Sequence, residues 1–184
     1  MQGLRQEEAR TDLFPWAAPG CAAGSCLATD HLLAMRARRV ARVGGVKGFD
    51  LGADRMSGCL AALARAGLPP TILPGRASHA FGRLAAAILT DPTFDAAPWF
   101  NDQAALGVLS DFAASGRDFR HSGFDDIKDF GQVFSVLTTV RCSIAGFGGQ
   151  IAAQILDWPV VDRHPDPVTQ TGVDLVIPAL TTGV

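Results

Sequence analysis

The sequence predicts an α/β protein with a parallel sheet and flanking helices. Short apolar runs alternate along the 184 residues with helical segments of about 12 residues each. Strands that alternate with crossover helices form right-handed βαβ units, which build a parallel sheet. Hydrophobic residues make up 48% and charged residues 18% of the chain, which is typical of a folded domain with a real core.

Two strands and the helix between them are predicted over residues 40–73. Val40–Val46 reads as a buried strand that ends in a glycine-rich turn. A helix follows over residues 53–66, and Gly67 ends it, because glycine is the usual residue after a helix. Thr71–Leu73 is the next strand. The apolar positions at helical spacing in this helix are Met56, Leu60 and Leu63.

The next two helices have recognisable beginnings. Ser78 and Asn101 are both residue types that cap a helix N-terminus. A short apolar strand, Ala96–Phe100, lies between the two helices, and Gly116 ends the second. The apolar face of the first helix is predicted to carry Phe81, Leu84 and Ile88. The inward positions of the second are predicted to be Ala105, Val108, Leu109 and Phe112.

The remaining elements are a strand, a helix and a strand. Phe119–Phe124 is a weak strand, because it contains Arg120 and His121. A long helix is predicted around residues 144–155, and Val173–Ile177 is the last strand.

Ligands of parallel sheets bind beyond the carboxyl ends of the strands, so polar residues there are candidates. Arg55 offers five donors in a planar fork, suited to vicinal hydroxyls or a carboxylate. Asp125 can accept sugar hydroxyls or an amine, and Asn101 can both donate and accept. Each has a plainer interpretation: Arg55 as a surface residue, Asn101 as only a helix cap, and Asp125 as a cap or turn residue.

Four motifs at these strand ends, taken in order, resemble the lactose-repressor/galactose-repressor (LacI/GalR) family of transcription regulators. They are Arg55-x-x-Gly58, Asn101-Asp102-x-x-Ala105-x-Gly107, Gly123-Phe124-Asp125-Asp126 and Leu137-Thr138-Thr139-Val140. The resemblance implies a periplasmic-binding-protein-like fold of type I. It also implies a non-enzymatic domain that binds a small effector, a sugar in most members, through Arg55, Asn101 and Asp125. Full-length members are homodimers.

The resemblance also implies a division of the chain into subdomains. Residues 40–131 and 158–184 are expected to form a nearly complete C-terminal subdomain. Residues 24–39 and 132–157 are expected to be a remnant of the N-terminal subdomain, and residues 1–23 an atypical segment. The chain is thus expected to be truncated at its N-terminus and to lack a helix-turn-helix head, so that DNA would be bound only through a head missing from it.

Charge and cysteine usage argue against other classes. The net charge is −2, and the short cluster Arg36, Arg38, Arg39 and Arg42 is interpreted as the solvated end of a helix rather than a nucleic-acid patch. No apolar run of about 18 residues and no secretory signal is present, which predicts a cytoplasmic protein without membrane contact. The four cysteines lack metal-ligand spacing, so we expect free thiols, no metal and no cofactor.

Two alternatives remain open at the level of sequence. A solute-binding protein of a sugar transporter would share the fold but should carry a signal segment. A doubly wound enzyme would use the Gly44–Gly52 turn for a phosphate, but that turn lacks the Gly-Lys-Ser/Thr ending of a phosphate-binding loop. No catalytic residues stand out.

Overall fold

The computed structural model describes residues 17–45, 50–90, 93–116, 118–127, 137–156 and 169–178. The chain falls into two compact units. The larger unit comprises residues 21–141 and 173–184, and the smaller comprises residues 1–20 and 142–172.

Helices and short strands alternate through the described residues. The helices are α1 (Cys21–Ala34), α2 (Asp50–Arg65), α3 (His79–Leu89), α4 (Asp102–Ser115) and α5 (Ile144–Leu156). The strands are β1 (Ala17–Pro19), β2 (Ala41–Val43), β3 (Thr71–Leu73), β4 (Ala96–Pro98), β5 (Arg120–Ser122), β6 (Thr139–Cys142), β7 (Thr169–Thr171) and β8 (Val173–Val176). Within these described ranges, no helix is both long enough and apolar enough to cross a membrane.

The sheet of the larger unit confirms the predicted parallel α/β fold. Strand β2 pairs in parallel with β3, and β4 pairs in parallel with β5. Parallel bridges join β2 to the β4 segment and the end of β5 to the start of β6, and β6 neighbours β8. The strand order is therefore β3-β2-β4-β5-β6-β8. The chain leaves β2 towards β3 and returns to its other side at β4, which makes the gap between β2 and β4 a topological switch point.

Helices cover both faces of this sheet. Alternate residues of β2 point to opposite faces, so Val40 packs with Leu32 of α1 and Leu63 of α2, whereas Ala41 and Val43 pack against α3 and α4. The core of the larger unit thus has two layers, as expected for a parallel sheet buried on both sides.

The predicted helix boundaries are largely confirmed. Ser78 caps α3, since its Oγ accepts a hydrogen bond from the Phe81 N–H at 3.3 Å. Gly67 and Gly116 follow α2 and α4 with φ of 67° and 62°, the left-handed conformation that ends helices. Helix α2 begins at Asp50, three residues before the predicted start.

The predicted apolar face of α3 is not the buried face. Leu84 is 73% and Ile88 52% exposed, whereas the buried residues of α3 are Gly82, Ala85, Ala86 and Leu89. The reason is the close crossing with α4. A Cβ atom added at Gly82 would lie 2.1 Å from the Ala104 carbonyl oxygen, so the face that carries Gly82 meets α4; of the predicted face, only Phe81 packs against the core.

The expected division into subdomains stays a prediction. Helix α1, in the range 24–39 expected for the N-terminal subdomain, packs against α2 within the larger unit. Strand β7, in the range 158–184 expected for the C-terminal subdomain, pairs in parallel with β1 in the smaller unit. Strand β1 lies in the segment interpreted as atypical. Apolar periodicity indicates that a helix is buried but not which sheet it covers, and strands of three residues carry little periodicity.

Candidate functional site

Arg55 and Asp125 meet at the carboxyl edge of the larger sheet. Helix α2, which follows β2, carries Arg55, and the loop after β5 carries Asp125. The Arg55 Nη2 atom donates to Asp125 Oδ1 at 2.7 Å, and its Nη1 atom donates to the carbonyl oxygen of Phe100 at 2.7 Å. Since Phe100 follows β4, one guanidinium ties together the ends of three strands across the switch point.

Two aromatic rings enclose the same guanidinium. The Arg55 Cζ atom lies 3.8 Å from the centroid of the Phe124 ring and 4.9 Å from that of Phe100. Such stacking favours arginine, whose planar and weakly hydrated cation interacts well with ring faces. Only 9% of the Arg55 side chain is exposed, so Arg55 is not the surface residue of the plainer interpretation.

Asp125 keeps its carboxylate open to a ligand. Its side chain is 36% exposed, and its backbone N–H donates to the Val140 carbonyl oxygen at 2.9 Å. Its φ of 106° lies in the left-handed region, which few residues with a side chain adopt. Burial raises the pKa of Asp125, and the Arg55 cation acts in the opposite direction. The ion pair therefore offsets part of the cost of desolvating this carboxylate, and desolvation remains the larger effect.

Asn101 caps α4, as the plainer interpretation proposed. Its Oδ1 atom accepts a hydrogen bond from the Ala104 N–H at 3.0 Å, the position that an N-cap side chain satisfies. The residue is buried directly after Phe100. Its predicted contact with a ligand stays a prediction.

Asp102 is a structural residue of the site that the sequence analysis missed. Its Oδ1 accepts from the Thr139 hydroxyl at 2.6 Å, and its Oδ2 accepts from the Ile127 N–H at 2.9 Å. Burial is the main cause that raises the pKa of Asp102 to about 6, and the carboxylates of Asp125 and Asp126 act in the same direction. Asp102 thus joins α4, the loop that carries Asp125, and β6. Its position beside Asn101 in the motif was the available signal.

The fold of the chain is shared with solved structures of known proteins. No family model and no curated protein sequence matches the chain. Among solved structures, a regulatory protein of the LacI family from Chloroflexus aggregans superposes with a TM-score of 0.81 at 28% identity, over 90% of this chain and 63% of that one. In its fold, the chain is similar to regulators of the LacI family.

Two further LacI-type structures were solved with a sugar. The LacI family regulator from Enterococcus faecium with bound ribose is 23% identical, with a TM-score of 0.75 over 87% of this chain and 64% of that one. The transcriptional regulator CelR–cellobiose complex is 23% identical, with a TM-score of 0.80 over 90% of this chain and 54% of that one. The chain spans less than two thirds of the length of each of these regulators.

Arg42 corrects the expectation that the whole basic cluster is solvated. Arg36, Arg38 and Arg39 are exposed as expected, but Arg42 is completely buried. Its Nη1 atom donates to the carbonyl oxygens of Val43 at 2.8 Å and Pro98 at 3.1 Å, the ends of β2 and β4. Burial lowers its pKa to about 10, so it is still a cation at neutral pH. Arg42 lies within a strand that helices cover on both faces. A run of arginines therefore does not predict solvent exposure at this position.

Cys21 is a further residue near the site, and no sequence pattern pointed to it. It begins α1 and is buried close to Arg55. Burial raises the pKa of the Cys21 thiol and the Arg55 cation lowers it. All four cysteines are free thiols, as expected.

Proposed function

We propose that this chain is a small-molecule-binding domain of a transcription regulator and that its ligand is a sugar. The observation that carries the proposal is the Arg55–Asp125 pair. It is fixed by two strand-end contacts and two aromatic rings at the switch point, yet its carboxylate is partly exposed. The ribose and cellobiose bound to two structural relatives support a sugar as the ligand.

The chemistry of these groups suits a polyol. A sugar presents adjacent hydroxyls, each of which can donate and accept, so Asp125 can accept from two of them while a neighbouring guanidinium donates to an oxygen. The half-buried ring of Phe100 offers an apolar surface against the C–H face of a sugar ring. Binding a sugar in this way requires neither a strong nucleophile nor a proton-transfer pair. We therefore propose a binding domain rather than an enzyme.

In a regulator, ligand binding acts by shifting a population between two conformations of unequal DNA affinity. We propose that this chain contributes the ligand-sensing step in the cytoplasm, as part of a homodimer. The described helices of the larger unit pack on the sheet rather than forming a DNA-reading pair. DNA contact is therefore assigned to a segment other than these described elements.

A substitution at Arg55 tests the ligand site. With ribose, cellobiose and other neutral sugars as probes, we expect the wild-type protein to gain thermal stability as the sugar concentration rises. Arg55→Ala should reduce sugar affinity about 30-fold or more, because it removes a guanidinium donor and leaves the partly exposed Asp125 carboxylate without its partner. The measurement is the ligand-dependent melting temperature, with affinities from calorimetry.

Two further variants make the result interpretable. Arg65→Ala removes an exposed arginine of the same helix, paired with Asp30 at the surface, and should leave sugar affinity unchanged. Arg55→Lys keeps the charge but not the planar fork, so it should fold and bind more weakly than wild type. Full retention of the sugar-induced shift in folded Arg55→Ala would contradict the assignment of this site.

A further inference from the structure

Arg42 is a buried cation whose hydrogen-bonding capacity is only partly used. Its Nη1 atom is satisfied by two carbonyl oxygens, but its Nε and Nη2 atoms have no hydrogen-bond partner within the part of the chain that the structure describes. The Nε atom of Arg55 is in the same condition. Buried guanidinium donors are normally satisfied, so three unmatched donor nitrogen atoms on two neighbouring arginines require an explanation.

The charges around Phe100 are also unbalanced. The Cζ atoms of Arg42 and Arg55 lie 6.0 Å and 4.9 Å from the centroid of this ring. Arg55 is paired with Asp125, whereas no described carboxylate lies within ion-pairing distance of Arg42. The Cys59 thiol acts on Arg42, but burial raises the pKa of that thiol, so it is neutral at pH 7. Among the described residues, the positive charge of Arg42 therefore has no carboxylate paired with it.

The position of this charge connects it with the ligand. The guanidinium of Arg42 bridges the ends of β2 and β4, and parallel sheets bind ligands at such a switch point. An unpaired buried charge is costly for folding and tends to be retained where function requires it. Water screens charges weakly there, so the field of Arg42 reaches the crevice across the Phe100 ring.

We propose that the ligand is an anionic sugar, one that carries a phosphate or a carboxylate, and that Arg42 selects for the negative charge. This inference rests on the proposed sugar-binding function and narrows it. A neutral sugar leaves the buried cation uncompensated, whereas an oxyanion brings the opposite charge into its field. Arg42 is thus a specificity-determining residue, distinct from the Arg55–Asp125 pair that holds the hydroxyls.

Matched neutral and anionic probes test the proposal. The probes are ribose with ribose 5-phosphate, glucose with glucose 6-phosphate and glucuronate, and orthophosphate and sulfate alone, all at constant ionic strength. We expect the wild-type protein to bind an anionic member about 30-fold or more tightly than its neutral counterpart. The phosphate and uronate arms distinguish the two anionic groups. Simple oxyanions should raise the melting temperature of wild-type protein above that in chloride.

Arg42→Met is the decisive variant. Methionine fills a similar volume without charge, and removing an unpaired buried cation should raise the melting temperature of the ligand-free protein. The variant should lose the preference for anionic probes and the specific oxyanion shift while retaining affinity for the neutral sugars. Arg65→Met, an exposed position on α2, is the control and should keep both.

The outcomes separate the two proposals. Equal anion preference in wild type and Arg42→Met would overturn the role of Arg42, and so would the absence of any oxyanion effect on the wild-type protein. Binding of neutral sugars alone would leave the sugar-binding function standing and refute the anionic ligand. An oxyanion effect that depends on Arg42, without affinity for any sugar probe, would support the anion site and contradict the sugar-binding function.

Discussion

Arg55 and Asp125 stabilise each other in positions that neither would hold alone. The Asp125 backbone adopts φ of 106°, a conformation that costs about 1–3 kcal/mol and persists only when its surroundings enforce it. The bond from its N–H to Val140 and the ion pair to Arg55 supply that enforcement. Strain at a partly exposed, charged strand end is typical of residues kept for binding rather than for stability.

Asp125→Asn should separate charge from geometry at this position. Asparagine tolerates positive φ and keeps an acceptor oxygen for Arg55, but it removes the negative charge that pairs with the buried guanidinium, so the free energy of unfolding should fall by about 1–3 kcal/mol. Hydrogen bonds from sugar hydroxyls to a carboxylate are roughly twice as strong as those to an amide, so sugar affinity should fall about tenfold or more. Calorimetric titration measures the loss. Asp118→Asn, at a highly exposed aspartate, is the control, and equal affinities of both variants would refute the role of Asp125.

The sequence identified some of these residues and not others for a physical reason. Arg55 and Asp125 follow predicted strands, and the rule that strand ends line the crevice points to them directly. Arg42 was grouped with its exposed neighbours, because a run of basic residues does not reveal where a helix end gives way to a buried strand. Asp102 was hidden by Asn101, since two polar residues at one helix start are equally good candidates for a cap.

At the scale of elements, small residues decide how the helices pack. Helices α3 and α4 cross at Gly82 and Gly107, where added Cβ atoms would lie 2.1 Å from the Ala104 carbonyl oxygen and 2.2 Å from that of His79. Helices α1 and α2 approach similarly at Gly58, where a Cβ would lie 1.9 Å from the Ala22 carbonyl oxygen. Backbone atoms cannot yield as a flexible side chain can, so these crossings require glycine.

Gly107→Ala should therefore destabilise the larger unit. The added methyl group must push α3 from α4, and such overpacking typically costs about 1–3 kcal/mol, which outweighs the gain in helix propensity. Gly148→Ala is the matched control, because nothing lies within 4 Å of a Cβ at that position of α5. It should be neutral or stabilising by up to about 1 kcal/mol. Urea unfolding measures both, and a stabilised Gly107→Ala protein would contradict the close crossing.

Element positions were more predictable than element faces. Caps and terminal glycines are local signals, so Ser78, Asn101, Gly67 and Gly116 could be interpreted without knowledge of the tertiary structure. The buried side of α3 could not, because apolar periodicity favoured its large residues while the close neighbour admits only small ones. The placement of α1 similarly depends on which sheet it covers. That depends on the tertiary structure of the chain and not on the sequence of α1 itself.

At the scale of the whole molecule, two buried groups on neighbouring elements give stability a pH dependence with opposing terms. His121 accepts a hydrogen bond from Trp99 Nε1 at 3.3 Å, and burial lowers its pKa to about 3. Between pH 6.5 and 3, His121 binds a proton in the unfolded chain but not in the folded protein. This difference destabilises the fold as the pH falls from 6.5 towards 3. Asp102 acts oppositely: its folded pKa of about 6 exceeds 3.8, so its term weakens the fold as the pH rises from 3.8 to 6.

The two terms can be separated by variants that do not titrate. The His121 interval is the wider, so we expect the free energy of unfolding of wild-type protein to fall on acidification below pH 6.5. Asp102→Asn should make this fall steeper by about 3 kcal/mol over the full interval, because it removes the gain from protonating Asp102. His121→Gln keeps an acceptor for Trp99 and should reduce the fall in the free energy of unfolding by a few kcal/mol. Solvent screening at the half-buried ring makes this reduction smaller than the pKa shift alone implies. Urea unfolding from pH 4 to 8 measures all three curves. Packing changes in either variant shift a curve uniformly, so only the slopes test the assignment, and parallel curves would refute it.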